Sequence, residues 1–167
     1  MSKHFQVRVL RQDDAHAGSH WETFEVPYEE GMNVTTVLQR IAAHPVTDEH
    51  EKSTPVVYDS CCLEEVCGAC TMVINGRVRQ ACSALVDNLL NDSPGQIELR
   101  PMTKYPVVRD LFVDRKRMFE TLKKVRAWVL VDGYHDIGEG PRISPKVQDA
   151  AYPISRCISC CCCMEAC

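Results

Sequence analysis

The sequence contains no apolar run approaching the ~20 residues needed to cross a bilayer, which argues against a spanning segment. Its opening, MSKHFQVRVLRQ, lacks the apolar stretch and cleavage site of a secretory leader, so a cytosolic or matrix-side location is expected. Positive charge is in short supply: 19 Lys and Arg against 23 Asp and Glu leave a net charge of −4, the wrong sign for a nucleic-acid binder. No internal repeat interrupts the pattern. Nor do the six histidines gather; His16 and His20 are near neighbours, but no third group accompanies them as a catalytic site requires. No catalytic acid, base or nucleophile is therefore expected.

Cysteine is what the chain has in excess. Eleven of its 167 residues are cysteine, and the final stretch is RCISCCCCMEAC. In a reducing compartment, regularly spaced cysteines are metal ligands before they are disulfides.

The pattern between the cysteines suggests an α+β fold. FQVRVL and ETFEVPY alternate apolar and polar residues as half-buried strands do, and a Gly-containing stretch between them would close an antiparallel pair. NVTTVLQRIAAH follows, with Asn33 as N-cap and Val34, Val37, Leu38 and Ile41 at helical spacing. Two strands and a crossing helix open a β-grasp domain. TPVVYDS reads as a short strand, TMVINGRVRQAC as a hairpin turning at Asn75-Gly76, and QIELRPM as a last strand. From Val108 the period becomes helical, with Leu111, Met118, Phe119, Leu122 and Val125 on one face of a long helix. GYHDIGEGPRISPK is a connection, and Ser144-Pro145 starts a helix leading to the final cysteines. The expected division is a β-grasp domain over 1–105 and a helical domain over 106–167. Acidic residues outnumber basic ones in the first region and the reverse holds in the second.

Cys62, Cys67, Cys70 and Cys82 have the spacing C-x4-C-x2-C-x11-C. The first three match the plant-type ferredoxin ligand loop, and a hairpin would return the fourth to the same [2Fe-2S] cluster. Gly68 and Ala69 leave room for backbone to approach the cluster. Cys61 reads as a bystander, and Glu64 and Glu65 as a solvated turn. Zinc is the competing metal, but a second C-x2-C knuckle at ribbon spacing is missing.

Cys157, Cys160, Cys163 and Cys167 have the spacing C-x2-C-x2-C-x3-C of bacterial ferredoxins. In that pattern three thiolates hold corners of one cubane and the fourth belongs to a different cluster. Such an arrangement needs a second run, and this sequence has none, so the chain reads as a fragment. Cys161 and Cys162 fit neither pattern.

A plant-type group on a β-grasp domain followed by a bacterial-type group on a helical domain resembles the iron-sulfur subunits of succinate dehydrogenase and fumarate reductase. CLEEVCGACTMVINGRVRQACSALVDNL, LRPMTKYPVVRDLFVDRKRMF and RCISCCCCMEAC look like that family's motifs, in that order. The resemblance implies a [2Fe-2S] cluster on Cys62, Cys67, Cys70 and Cys82, a [4Fe-4S] cluster on Cys157, Cys160 and Cys163, and Cys167 as a ligand of a [3Fe-4S] cluster. It also implies a flavoprotein partner carrying FAD, a haem-bearing membrane-anchor partner, and quinone as the electron acceptor. The implied location is peripheral, on the cytoplasmic face of the inner (cell) membrane. Two features depart from the family: Cys161 stands where glycine is usual, and the sequence ends before the second cysteine run. Fumarate reduction uses the same wiring. A molybdenum-hydroxylase small subunit, a free ferredoxin and a zinc protein are the remaining alternatives, the first disfavoured by the compact late run.

Overall fold

The computed structural model describes residues 4–127 and 144–167. Its contacts divide the chain into two units, Met1–Arg115 together with Cys160–Cys167, and Lys116–Ser159. The sequence pattern suggested a boundary at 105/106; by contacts, the residues up to Arg115 and the last eight residues belong with the first unit.

Alternation along the first strand explains how the first unit folds. In β1 (His4–Arg11), Phe5, Val7 and Val9 all face inward, and β2 (His20–Pro27) pairs antiparallel to place Val26 and Phe24 opposite Phe5 and Val7. Asn33 caps α1 (Val34–Ala43) as expected, its side chain accepting the Thr36 N–H at 2.9 Å. The helix buries Val34, Val37, Leu38 and Ile41, and each such side chain contributes about 1.5–3 kcal/mol on leaving water.

The hairpin of β3 (Thr71–Ile74) and β4 (Arg77–Gln80) turns at Asn75-Gly76, both with positive φ as its tight turn requires. After α2 (Val86–Asp92), which the sequence pattern did not suggest, β5 (Gln96–Arg100) enters the middle of the sheet. It runs parallel to β1 and antiparallel to β3, giving the order β2-β1-β5-β3-β4. Val7, Val9, Phe24, Leu38, Ile74, Ile97 and Leu99 form the centre of one core.

Two expectations are corrected here. TPVVYDS is not a strand: Val57 N–H donates to Asp110 Oδ2 at 2.9 Å and Val57 O accepts from Leu111 N–H at 3.0 Å, so its polar groups are met outside any ladder. The long helix from Val108 is also absent. Instead β6 (Val107–Arg109) and β7 (Phe112–Val113) form a hairpin that turns at Asp110, whose φ is +47°. Arg11 is the reason. Inward alternation of β1 carries that guanidinium into the core, 4% exposed, and Asp110, 1% exposed, meets it with contacts of 2.9 and 3.2 Å. A buried charge needs such a partner.

In the second unit α3 (Lys116–Lys124) buries Met118, while Phe119 and Val125 are exposed rather than part of a buried face. Ser144 caps α4 (Pro145–Ser155), accepting from Val147 N–H at 3.3 Å, in line with the sequence reading. Residues 133–143 of the expected connection lie outside the described residues. The last element, α5 (Cys162–Ala166), belongs to the first unit. Among the described residues no helix is long and apolar enough to cross a membrane.

Candidate metal centre

The segment from Cys61 to Ala69 makes no regular structure, and its backbone turns towards sulfur. Leu63 and Glu65 adopt left-handed backbone, with φ of +62° and +59°, each at a cost of about 1–2 kcal/mol for a side chain of this kind. That alternation aims successive N–H groups to one side, as anion-binding nests do. Cys62 Sγ accepts from Glu64 N–H at 3.4 Å, Val66 N–H at 3.4 Å and Cys67 N–H at 3.3 Å. Cys67 Sγ accepts from Cys62 N–H at 3.5 Å and Ala69 N–H at 3.4 Å, and Cys82 Sγ from Glu65 N–H at 3.3 Å. The side chains of Glu64 and Glu65 point to solvent, as expected of a surface turn, while their amides do the binding.

These donors have an electrostatic effect. The amides of Glu64, Val66 and Cys67 hold the Cys62 thiol down to about 7, favouring thiolate, the form that binds metal. Cys70 lies deeper, 3% exposed, and burial pushes its thiol up to about 11. The four sulfurs fall into two pairs: Cys62 interacts directly with Cys67, and Cys70 with Cys82, which the hairpin β3-β4 carries back to the loop. The donor set suits a two-iron cluster, which takes two thiolates per iron and gains from N–H groups directed at its sulfurs. Among the described residues no three Cys, His, Asp or Glu side chains converge tightly enough to hold a single ion. A two-iron cluster spreads its thiolates over two metal atoms and does not require that convergence.

Cys61 is exposed and takes no part in this amide network. Gly68 matters for a steric reason: its φ is +70°, and a Cβ built on it would lie 2.4 Å from Cys160 Cα. The ligand loop and the late cysteine run thus meet backbone to backbone within the first unit. Gly68 O accepts from Thr71 Oγ1–H at 2.8 Å and from Arg115 Nη1–H at 3.0 Å. Thr71 and Arg115 are the site residues that sequence spacing missed. Neither has a motif signal, and Arg115 reaches the loop from 47 positions away.

Of the late group, Cys160, Cys163 and Cys167 belong to the first unit and Cys157 to the second. Cys157 Sγ accepts from Ser159 N–H at 3.4 Å, the same amide-to-thiol contact as in the first loop. Cys161 is 1% exposed and left-handed, with φ of +65°, a backbone conformation that glycine adopts without steric cost. Burial pushes its thiol above the usual range, and pushes Cys162 up to about 12 with help from neighbouring Cys160. The end of α5 is tied down at Glu165, whose carboxylate accepts from Thr103 N–H at 2.9 Å and Lys104 N–H at 3.2 Å.

A family model described as a 2Fe-2S iron-sulfur cluster binding domain matches residues 6–120. The chain is 50% identical over 169 residues to the succinate dehydrogenase iron-sulfur subunit of Bacillus subtilis, across 100% of this chain and 65% of that one. It is 30% identical over 171 residues to the fumarate reductase iron-sulfur subunit of Wolinella succinogenes, across 100% of this chain and 67% of the relative. The chain belongs to this family of iron-sulfur subunits. A chain in the solved Mycobacterium smegmatis Sdh1 complex in the apo form superposes with a TM-score of 0.71 and 25% identity, covering 100% of this chain and 64% of the other. This sequence therefore spans about two thirds of the length of the relatives it matches. The 2Fe-2S family match covers the whole plant-type group, Cys62 to Cys82.

Proposed function

We propose that this chain is the electron-carrying iron-sulfur subunit of a succinate dehydrogenase, with Cys62, Cys67, Cys70 and Cys82 as ligands of a [2Fe-2S] cluster. The observation that carries the reading is the amide-lined loop: six N–H groups donate to the sulfurs of Cys62, Cys67 and Cys82. When bound, a [2Fe-2S] cluster takes up and gives out single electrons. By their exposure, Cys62 and Cys67 would hold the more accessible part of the group and Cys70 and Cys82 the more buried part. The loop amides offset the negative charge that thiolates and sulfide bring together, which favours the reduced form. Burial of Cys70 and Cys82 keeps water from half of the site.

The sheet order and crossing helix support a β-grasp, plant-type ferredoxin-like domain. Cys157, Cys160 and Cys163 are the proposed ligands of a [4Fe-4S] cluster, and Cys167 of a [3Fe-4S] cluster. Electrons would come from an FAD-bearing flavoprotein subunit and leave to quinone at a haem-bearing membrane anchor, with the chain peripheral on the cytoplasmic face. Identity to the Bacillus subtilis subunit exceeds that to the fumarate reductase relative, which favours succinate oxidation as the working direction.

The test is reduction of the native complex by its substrate. Succinate is expected to produce the paramagnetic signal of a reduced cluster. A complex whose clusters respond to dithionite, but which neither succinate reduces nor fumarate reoxidises, would contradict the proposal.

A further inference from the structure

Arg115 holds a peptide unit that faces both Cys67 and the late cysteine run. Its Nη1–H donates to Gly68 O at 3.0 Å and its Nη2–H to Asp59 Oδ2 at 3.0 Å, with the side chain 13% exposed. Gly68 O and Ala69 N–H belong to the same planar peptide, so fixing one fixes the other. Ala69 N–H points at Cys67 Sγ, 3.4 Å away. The Asp59 carboxylate, the Arg115 guanidinium, the Gly68–Ala69 peptide and the Cys67 sulfur therefore form one polarised line, each hydrogen bond strengthening the next. The peptide has little freedom on its other side, where Gly68 packs against the Cys160 backbone.

We propose that Arg115 is a positioning residue for the first cluster: it orients and polarises the Gly68–Ala69 peptide so that the Ala69 N–H stabilises the Cys67 thiolate, and thereby raises the cluster's reduction potential. The inference rests on the cluster reading above. Arginine suits the task because its planar fork spans two acceptors at once, Asp59 and Gly68, which a lysine ammonium on a flexible stem does not. Thr71 Oγ1 donates to the same carbonyl and contributes in the same direction.

The experiment is a redox titration of the first cluster in the full-length subunit within its native complex, for unaltered protein, Arg115→Gln and Arg115→Lys. Iron content and visible absorption establish loading in each. Arg115→Gln is expected to shift the reduction equilibrium about tenfold towards the oxidised form, which is about 59 mV for a one-electron couple. Arg115→Lys is expected to shift it the same way by a smaller factor, because the charge stays but the bridge goes. A purely structural role would lower iron content or melting temperature while leaving the potential of the loaded fraction in place. A loaded Arg115→Lys protein with the unaltered potential overturns the proposal, whether or not Arg115→Gln assembles. Absence of any [2Fe-2S] signal in the unaltered complex is a different failure, that of the cluster reading itself, and removes the basis of both.

Discussion

Gly68 and Cys160 touch backbone to backbone: a single methyl group added to Gly68 would stand 2.4 Å from Cys160 Cα. The contact joins two cysteine motifs that are separate in the sequence, so their close approach depends on having hydrogen where every other residue has carbon.

Gly68→Ala is accordingly expected to destabilise the first unit. Overpacking against backbone costs about 1–3 kcal/mol, and the left-handed φ adds about 1–2 kcal/mol for a residue with a Cβ. Thermal unfolding of the iron-loaded protein measures the sum, and a melting temperature equal to that of the unaltered protein would show that the contact is slack.

The buried pair of Arg11 and Asp110 gives a second expectation. Asp110→Ala leaves the guanidinium without its main partner, and also strips acceptors from Gln12 N–H and Val57 N–H. Glu22 Oε2 still pairs with Arg11 Nη1 at 2.6 Å, so a loss of about 1–3 kcal/mol is expected from the acceptors removed. Replacing both residues by apolar ones should cost less than Asp110→Ala alone. Urea unfolding of the single and double variants checks the order.

Asp87 supplies a pH dependence away from the cluster. Its carboxylate accepts from Tyr28 Oη–H and from Gly31 N–H, which hold its pKa below the usual carboxylate value. The folded value lies below the unfolded one, so its contribution is present above the ordinary aspartate pKa of ~3.9 and is lost as pH falls through the folded value. Asp87→Asn should flatten the fall in stability below about pH 4. Urea midpoints across pH 2.5 to 6 measure it, and parallel curves for the two proteins would remove Asp87 from the account.

What the sequence made legible is what local pattern controls. Alternation in β1 and β2, the Asn33 and Ser144 caps and the Asn75-Gly76 turn all depend on residues a few positions apart, and the structure has them where the pattern put them. The amide contacts of Cys62 and Cys67 follow the same rule, since those sulfurs and their donors lie within one short segment, whereas Cys82 meets Glu65 N–H only because the β3-β4 hairpin returns it. The hairpin at Asp110 was not legible. Leu111, Met118, Phe119, Leu122 and Val125 have helical spacing, but Arg11, 99 positions earlier, requires a buried carboxylate at that point and breaks the period. Arg115 and Thr71 were missed because their target is a backbone carbonyl, and no side-chain motif advertises one. The oddity of Cys161 needed φ: its backbone is left-handed, a conformation that suits glycine, the residue the family resemblance leads one to expect there.

Exposed and buried extra cysteines should prove dispensable. Cys61→Ser and Cys161→Gly are expected to leave iron content unchanged, and Cys161→Gly to relieve left-handed strain at the expense of a small cavity. Iron and sulfide analysis of each purified variant decides, with loss of iron from either one adding that residue to the ligand set.

The most direct test of the central claim is electron paramagnetic resonance of the dithionite-reduced native complex carrying Cys70→Ala. The [2Fe-2S] signal is expected to vanish while the signals of the other clusters persist. A [2Fe-2S] signal of undiminished intensity would contradict the assignment of Cys62, Cys67, Cys70 and Cys82 as its four ligands.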